Sequence, residues 1–300
     1  MLYNIFMKVF TQLNENKNLV LILGFFDGFH LGHQKVITSA VNYAKLNGLK
    51  TAILTFKKHP LCVIKNIKPK YIMQNRQDFV QNFGIDYFYE LDFDLNIANM
   101  DPQDYLNNIL VKYFEPNAIF TGFNHTFGID KKGTPALLEI SKDKYGYKYF
   151  QISPQMLDGE VISSTKIRNA LSNGDLQLVN SMLGRNFTLS SIVVEGEKIG
   201  RTIGFKTANV IYPDEIVRIP FGVYEVNTNY GKGIANFGIR PTVNNIEEPI
   251  LEVHILNFEE DIYGETLTIE FVKTIRKEQK FESLDKLKEQ IKKDISTINF

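Results

Sequence analysis

Apolar residues in the first half of the chain follow two rhythms. Leu19-Val20-Leu21-Ile22-Leu23 is an unbroken apolar run ending at Gly24, the pattern of a parallel strand buried on both faces. From His33 the spacing changes: Val36, Ile37, Ala40, Val41 and Ala44 recur at helical intervals, and Gly48 supplies a C-terminal stop. Thr51–Phe56 predicts the next strand. Asp101-Pro102 predicts an N-cap followed by proline at the first helical position, with Leu106, Ile109, Leu110 and Tyr113 on the inner face. Asn117–Thr121 reads as a strand and Pro135–Asp143 as a helix. Strands alternating with helices predict an α/β domain built on a doubly wound parallel sheet.

After two short helices, Ser164–Leu171 and Leu176–Met182, the rhythm shortens. Leu189–Glu195, Gly222–Asn227, Gly233–Phe237, Ile250–Leu256 and Thr266–Phe271 read as strands punctuated by Gly, Pro and Asn. That pattern predicts a small antiparallel β-barrel or sandwich. A terminal helix follows, with Leu284, Leu287, Ile291 and Ile295 on one face. The change of rhythm near Gly184–Asn186 divides the chain into domains 1–184 and 185–300.

Composition narrows the function classes. Three hundred residues at 44% hydrophobic suffice for two cores, and 34 Lys+Arg balance 34 Asp+Glu. A net charge of zero argues against bulk nucleic-acid binding, where a basic face is the usual footprint. The single cysteine, Cys62, excludes an internal disulfide framework and cysteine-rich zinc sites, and fits a reducing cytosol. The longest apolar run, Leu19–Phe26, is too short for a bilayer, which needs about 20 residues. Met1–Phe10 has no cleavage-site pattern, so no signal peptide is expected.

The most informative segment is Gly24-Phe25-Phe26-Asp27-Gly28-Phe29-His30-Leu31-Gly32-His33. It lies between the carboxyl end of a strand and the start of a helix, where open α/β sheets bind ligands and helix amides attract phosphate. Its glycines permit close backbone approach, and two histidines can face charge developing on a phosphoryl group. The spacing is neither a Walker A loop nor a dinucleotide fingerprint. Read alone, the histidines also suit helix capping. The segment resembles the HxGH signature of nucleotidyltransferases, in the extended form found in bacterial bifunctional riboflavin kinases/FMN adenylyltransferases. Thr55-Phe56-Lys57-Lys58-His59-Pro60, Gly122-Phe123-Asn124-His125-Thr126-Phe127-Gly128 and Ile162-Ser163-Ser164-Thr165-Lys166-Ile167-Arg168 resemble further motifs of that family in the same order. His125 stands where the family usually has phenylalanine.

In the second half, Gly196-Glu197-Lys198-Ile199-Gly200-Arg201-Thr202-Ile203-Gly204-Phe205-Lys206-Thr207-Ala208-Asn209 is glycine-rich and carries two oxygen side chains suited to Mg²⁺. Alone it reads equally as turn glycines of a β domain. It resembles the riboflavin kinase segment G-x-x-x-G-R-x-x-G-F-P-T-A-N, with Lys206 replacing the proline. Glu195 stands where the family often has histidine. Pro220–Tyr224, Ala235–Thr242, Leu251-Glu252-Val253-His254, Asp261–Gly264 and Ile275–Phe281 resemble later elements of the same family. Glu252 alone reads as a solvent-facing strand glutamate.

The resemblance implies two reactions. In the first, the FMN phosphate attacks the α-phosphorus of ATP and pyrophosphate leaves, giving FAD. His30, His33 and Arg168 act on the phosphates. Gly24, Phe25, Phe26, Asp27, Gly32, Asn124, Ser164 and Thr165 hold ATP, and His59 and Pro60 lie by the flavin. In the second, Glu252 takes the proton of the riboflavin 5′-hydroxyl as it attacks the ATP γ-phosphorus. Gly196, Gly200, Arg201, Gly204, Thr207 and Asn209 bind ATP and Mg²⁺, with Thr207 and Asn209 nearest the metal, and Arg276 contacts the flavin. The implied partners are riboflavin, FMN and ATP, with neither nucleic acid nor membrane, in a cytoplasmic monomer or weak homo-oligomer. Two rivals remain open: an adenylyltransferase whose kinase half is impaired around Lys206, and a non-catalytic flavin or nucleotide sensor.

Overall fold

The computed structural model describes residues 7–196, 204–241 and 247–298. It divides into two compact units, Met1–Pro69 with Asn75–Ser163, and Lys70–Gln74 with Ser164–Phe300.

The first unit holds six parallel strands: β1 (Lys8–Phe10), β2 (Leu19–Leu23), β3 (Lys50–Phe56), β4 (Tyr87–Leu91), β5 (Ala118–Gly122) and β6 (Lys148–Ile152). Their spatial order is β1-β4-β3-β2-β5-β6. β2 is buried along its whole length between β3 and β5, which is why its sequence carries no polar residue. Leu19, Leu21 and Leu23 pack in a cluster with Leu106, Leu110 and Phe114. The chain leaves β2 into the helix Leu31–Asn47, whose Val36, Ile37, Ala40, Val41 and Ala44 are all buried. Gly48 ends that helix at φ 64°, a left-handed conformation that glycine adopts without Cβ strain. Strand order reverses at β2, so the loops after β2 and β5 flank the switch point where such sheets take ligands. β1, β4 and β6 extend the sheet beyond the three strands that the apolar pattern predicts. A short hairpin, β7 (Met156–Leu157) with β8 (Glu160–Val161), completes the unit.

The second unit is a closed antiparallel barrel of β9 (Phe187–Val194), β10 (Ala208–Ile211), β11 (Gly222–Thr228), β12 (Gly231–Pro241), β13 (Glu247–Ile255) and β14 (Thr266–Lys277), in the order β10-β13-β12-β11-β14-β9. Period-two alternation fills it: Leu251, Val253 and Ile255 are buried, whereas Glu252 and His254 are half-exposed. The helices Ser164–Asn173 and Leu176–Leu183 precede the barrel. Asn180 joins the second of them to it, donating to the carbonyls of Phe271 and Val272 at 2.9 and 3.2 Å and accepting from the Phe187 amide at 2.8 Å. The segment Lys70–Gln74 also belongs here, through bonds from the Tyr71 amide to the Glu215 carbonyl and from the Val217 amide to the Tyr71 carbonyl.

The terminal helix Leu284–Ser296 differs from its expected face. Leu284 is exposed, while Ile291 and Ile295 pack against Val223, Ile234 and Ile298. The same face buries Asp294, which the apolar pattern could not reveal. Its carboxylate accepts two bonds from Arg276 Nε, at 3.1 and 2.9 Å, and ion-pairs with the guanidinium.

Candidate active sites

In the first unit the segment 24–33 turns sharply between β2 and the helix Leu31–Asn47. Phe26, Gly28 and Phe29 all have positive φ, at 58°, 78° and 41°. Two non-glycine residues there carry strain of the kind that concentrates at ligand sites. The Phe26 ring folds back over Gly24, where a Cβ would lie 2.6 Å from it, so only glycine fits. Asp27 and His30 are buried. His30 is the helix N-cap, and its Nδ1 accepts a long 3.4 Å bond from the His33 amide. The capping role that the sequence alone suggested is therefore real. It coexists with a second arrangement: the two imidazoles stack 3.7 Å apart, 19° from parallel, at the helix N-terminus. Gly32 leaves room for this, since a Cβ there would touch the His30 ring at 3.1 Å. The His33 Nδ1 is sealed from solvent without a hydrogen-bond partner. Burial first, and the neighbouring His30 second, hold the His33 imidazole well below its usual pKa, so it is neutral at pH 7.

The neighbouring strand ends contribute the other expected residues. The His59 ring meets Phe25 edge-on at 4.7 Å, and its Nδ1 accepts the Leu61 amide. Pro60 caps the short helix Leu61–Ile64. Asn124 is exposed in the turn after β5. Beside it, His125 has a buried Nε2 without a partner, and burial lowers its pKa to about 4. Ser164, Thr165 and Arg168 lie in the second unit, at the start of the helix Ser164–Asn173, and Arg168 Nε donates to the Lys70 carbonyl at 2.9 Å.

The barrel gathers a second set. Glu252 on β13 stands in register with Asn209 on β10 and Asn236 on β12, so the three side chains share one face. Thr207 immediately precedes β10. Asn209 is buried, and Gly196 packs on its amide so closely that a Cβ would lie 2.3 Å from Nδ2. Gly204 turns at φ 87°. Gly200 and Arg201 lie outside the described residues. The Lys206 ammonium donates to the Glu259 and Glu260 carbonyls at 2.7 and 2.8 Å and pairs with Asp261 at 2.7 Å. His254 Nδ1 lies 2.8 Å from the Lys206 carbonyl. Thr207, Asp261 and Tyr263 line one small cleft.

Comparison with known proteins gives a family for each half of the chain. The family model for FAD synthetase matches residues 12–166, and that for riboflavin kinase matches 183–299. A Bacillus subtilis bifunctional riboflavin kinase/FMN adenylyltransferase is 36% identical over 93% of this chain and 91% of its own length. The Listeria monocytogenes protein of the same name is 35% identical, covering 92% and 90%. This chain belongs to the bifunctional riboflavin kinase/FMN adenylyltransferase family. A crystal structure described as a macrolide-efflux protein from Streptococcus pneumoniae superposes with a TM-score of 0.86 at 30% identity, covering 97% of this chain and 98% of that one. Among the described residues here, no helix is long and apolar enough to cross a membrane.

Membership in the bifunctional family sharpens two departures. His125, expected to replace a phenylalanine, has a buried Nε2 without a partner, and Lys206, expected to replace a proline, makes a three-oxygen tie. Arg76 and Glu90, which sequence reasoning misses, form a partly buried pair at the carboxyl ends of the strands, 2.7 Å apart. The available signal was arginine's scarcity: only seven of the 34 basic residues are arginine.

Proposed function

We propose that this chain phosphorylates riboflavin to FMN and adenylylates FMN to FAD, each with ATP, at two separate sites. The observation that supports this is that one chain carries the stacked His30–His33 pair at a sheet switch point in its first unit and Glu252 in register with Asn209 in its second.

In the adenylyltransferase site the protein positions two anionic reactants and neutralises developing charge. The His30–His33 pair and the first amides of the helix Leu31–Asn47 face the ATP phosphates. Gly24, Phe25, Phe26, Asp27, Gly32 and Asn124 shape the nucleotide pocket, and His59 and Pro60 border the flavin. Ser164, Thr165 and Arg168 hold the outer phosphates. The attacking FMN phosphate is already an anion, so no general base is required.

In the kinase site Glu252 accepts the riboflavin hydroxyl proton. Gly196 and Gly204 suit close backbone approach to ATP; Gly200 and Arg201, expected to bind it too, lie outside the described residues. Thr207 and Asn209 offer hard oxygens suited to Mg²⁺, which when bound neutralises phosphate charge. Among the described residues no cluster of three His, Cys, Asp or Glu could hold a metal alone. Arg276 serves the flavin end through backbone placement, with its side chain engaged by Asp294. The functional halves are 1–184 and 185–300, acting in the cytoplasm as a monomer or weak homo-oligomer.

Pure protein given riboflavin, ATP and Mg²⁺ should accumulate FMN and then FAD. FAD formed only from supplied FMN would identify an impaired kinase, and flavin binding without turnover would identify a sensor.

A further inference from the structure

Arg76 opens the five-residue helix Arg76–Val80, and its side chain is only 9% exposed. The guanidinium donates to five oxygens: the Phe25 carbonyl at 2.7 Å, the Thr55 hydroxyl at 3.2 Å, the Phe56 and Lys57 carbonyls at 2.5 and 3.4 Å, and the Glu90 carboxylate at 2.7 Å. Those oxygens belong to the carboxyl ends of three adjacent strands, β2, β3 and β4, or to the residues just beyond them. The guanidinium carbon also lies 4.4 Å from the centroid of the Phe25 ring, whose other neighbour is His59 at 4.7 Å.

A fold staple can sit anywhere in a sheet. This one sits at the ligand end, and it touches both loops that carry the first site. Phe25 follows Gly24 in the histidine loop, and Phe56 and Lys57 lead into His59. A planar five-donor fork suits this task, because its bonds point in fixed directions and hold several acceptors at once. Lysine would keep the charge beside Glu90 but not that geometry.

We propose that Arg76 is a positioning residue of the adenylyltransferase site, setting Phe25 and His59 relative to each other before substrates bind. The inference rests on reading residues 24–33 as the adenylyltransferase loop. Arg76→Lys and Arg76→Met in the full chain test it, with kinase turnover in the same sample as the internal control and melting recorded alongside. For Arg76→Lys, kinase turnover should be unchanged, while kcat for FAD formation falls about 10- to 100-fold, the order that misplaced reactants cost. The His59 ring-proton resonance should also shift as its contact with Phe25 loosens. With five histidines in the chain, a His59→Gln spectrum assigns it.

An adenylylation kcat within twofold of wild type together with an unmoved His59 signal overturns the proposal. So does equal loss of both activities with collapsed melting in both variants, which would make Arg76 a fold staple only. A wild-type chain that phosphorylates riboflavin but makes no FAD would instead fail the functional reading. The His59 resonance would then still decide whether Arg76 sets that ring.

Discussion

The Lys206 ammonium lies 2.7 Å from the Asp261 carboxylate and also takes the carbonyls of Glu259 and Glu260. One side chain thereby joins the segment entering Thr207 to the loop that carries Tyr263. Proline would fix the backbone before Thr207 by its ring; here a partly buried ion pair takes over that restraint. Lys206→Met should lower kinase kcat/KM about 5- to 30-fold, ~1–2 kcal/mol, between an ordinary hydrogen bond and the low end for bonds to a charged group. FAD formation from supplied FMN should not change. Steady-state kinetics of both reactions on one preparation check this.

The stacked histidines make a sharper separation of activities. His30→Ala removes the N-cap, costing about 1 kcal/mol of stability, and removes one of the two groups proposed to face phosphate. FAD formation should be abolished while FMN formation from riboflavin stays near wild type. Equal loss of both in a folded variant contradicts two separate sites.

Glu252→Gln keeps size and hydrogen bonding but cannot take a proton. The kinase rate should fall about 10²- to 10⁴-fold, with riboflavin and ATP binding little changed. FAD formation from FMN should persist. A drop below about threefold, far under the range for a positioned base, would return Glu252 to an ordinary strand-surface residue.

His125 predicts an effect on stability rather than rate. Its buried Nε2 lacks a partner, so His125→Phe should stabilise the chain by about 1–2 kcal/mol and raise Tm by roughly 2–6 °C at pH 7.5. Its pKa is lowered to about 4 in the folded chain, against about 6.5 unfolded. The unfolded chain therefore takes up a proton that the folded one refuses. This stability is fully present above about pH 6.5 and declines as pH falls from there towards 4. Melting curves at pH 7.5 and 5 should show a smaller acid loss for His125→Phe than for wild type.

Much of this was legible from pattern alone, because β2 and its following helix are simple objects: a fully buried strand and a one-sided helix. The motif loop at 24–33 was legible because glycines and two histidines together at a strand–helix junction stand out from ordinary loop composition. What stayed hidden needs three dimensions. β10 is only four residues long and sits inside a glycine-rich motif, so its composition reads as a turn. β4, with Tyr87, Phe88 and Tyr89 beside Glu90, is bounded by Gly84 and Asp92 but is too short for its period to separate a strand from a helical turn. Arg76 looks like any surface cation until the ends of three strands converge on it. Asp294 disappears into a helix that is otherwise mostly charged, because its partner lies on a distant strand.

Asn180 sets the useful length of a kinase fragment. Residues 186–300 contain the barrel strands but lose the bonds from Asn180 to Phe271 and Val272, the bond it accepts from the Phe187 amide, and the buried Leu176, Val179, Met182 and Leu183. Fragments beginning at Asn186 and at Ser164 should both phosphorylate riboflavin, and the longer one should melt higher. A longer fragment no more stable than the shorter would show that this helix is dispensable.

The excursion of Lys70–Gln74 reaches further than stability. Because this segment lies in the second unit while its flanks lie in the first, the polypeptide passes between units at 69/70, 74/75 and 163/164. Neither unit is therefore a contiguous stretch of gene. A single crossover that exchanged the kinase half for that of a relative would pair a foreign 213–218 turn with the resident Tyr71. Recombination at such a junction is compatible only when both parents agree at Tyr71 and the Glu215–Val217 backbone it pairs with. The two halves are thus tied in inheritance by five residues, far from the boundary at which a breeder of chimeras would choose to cut.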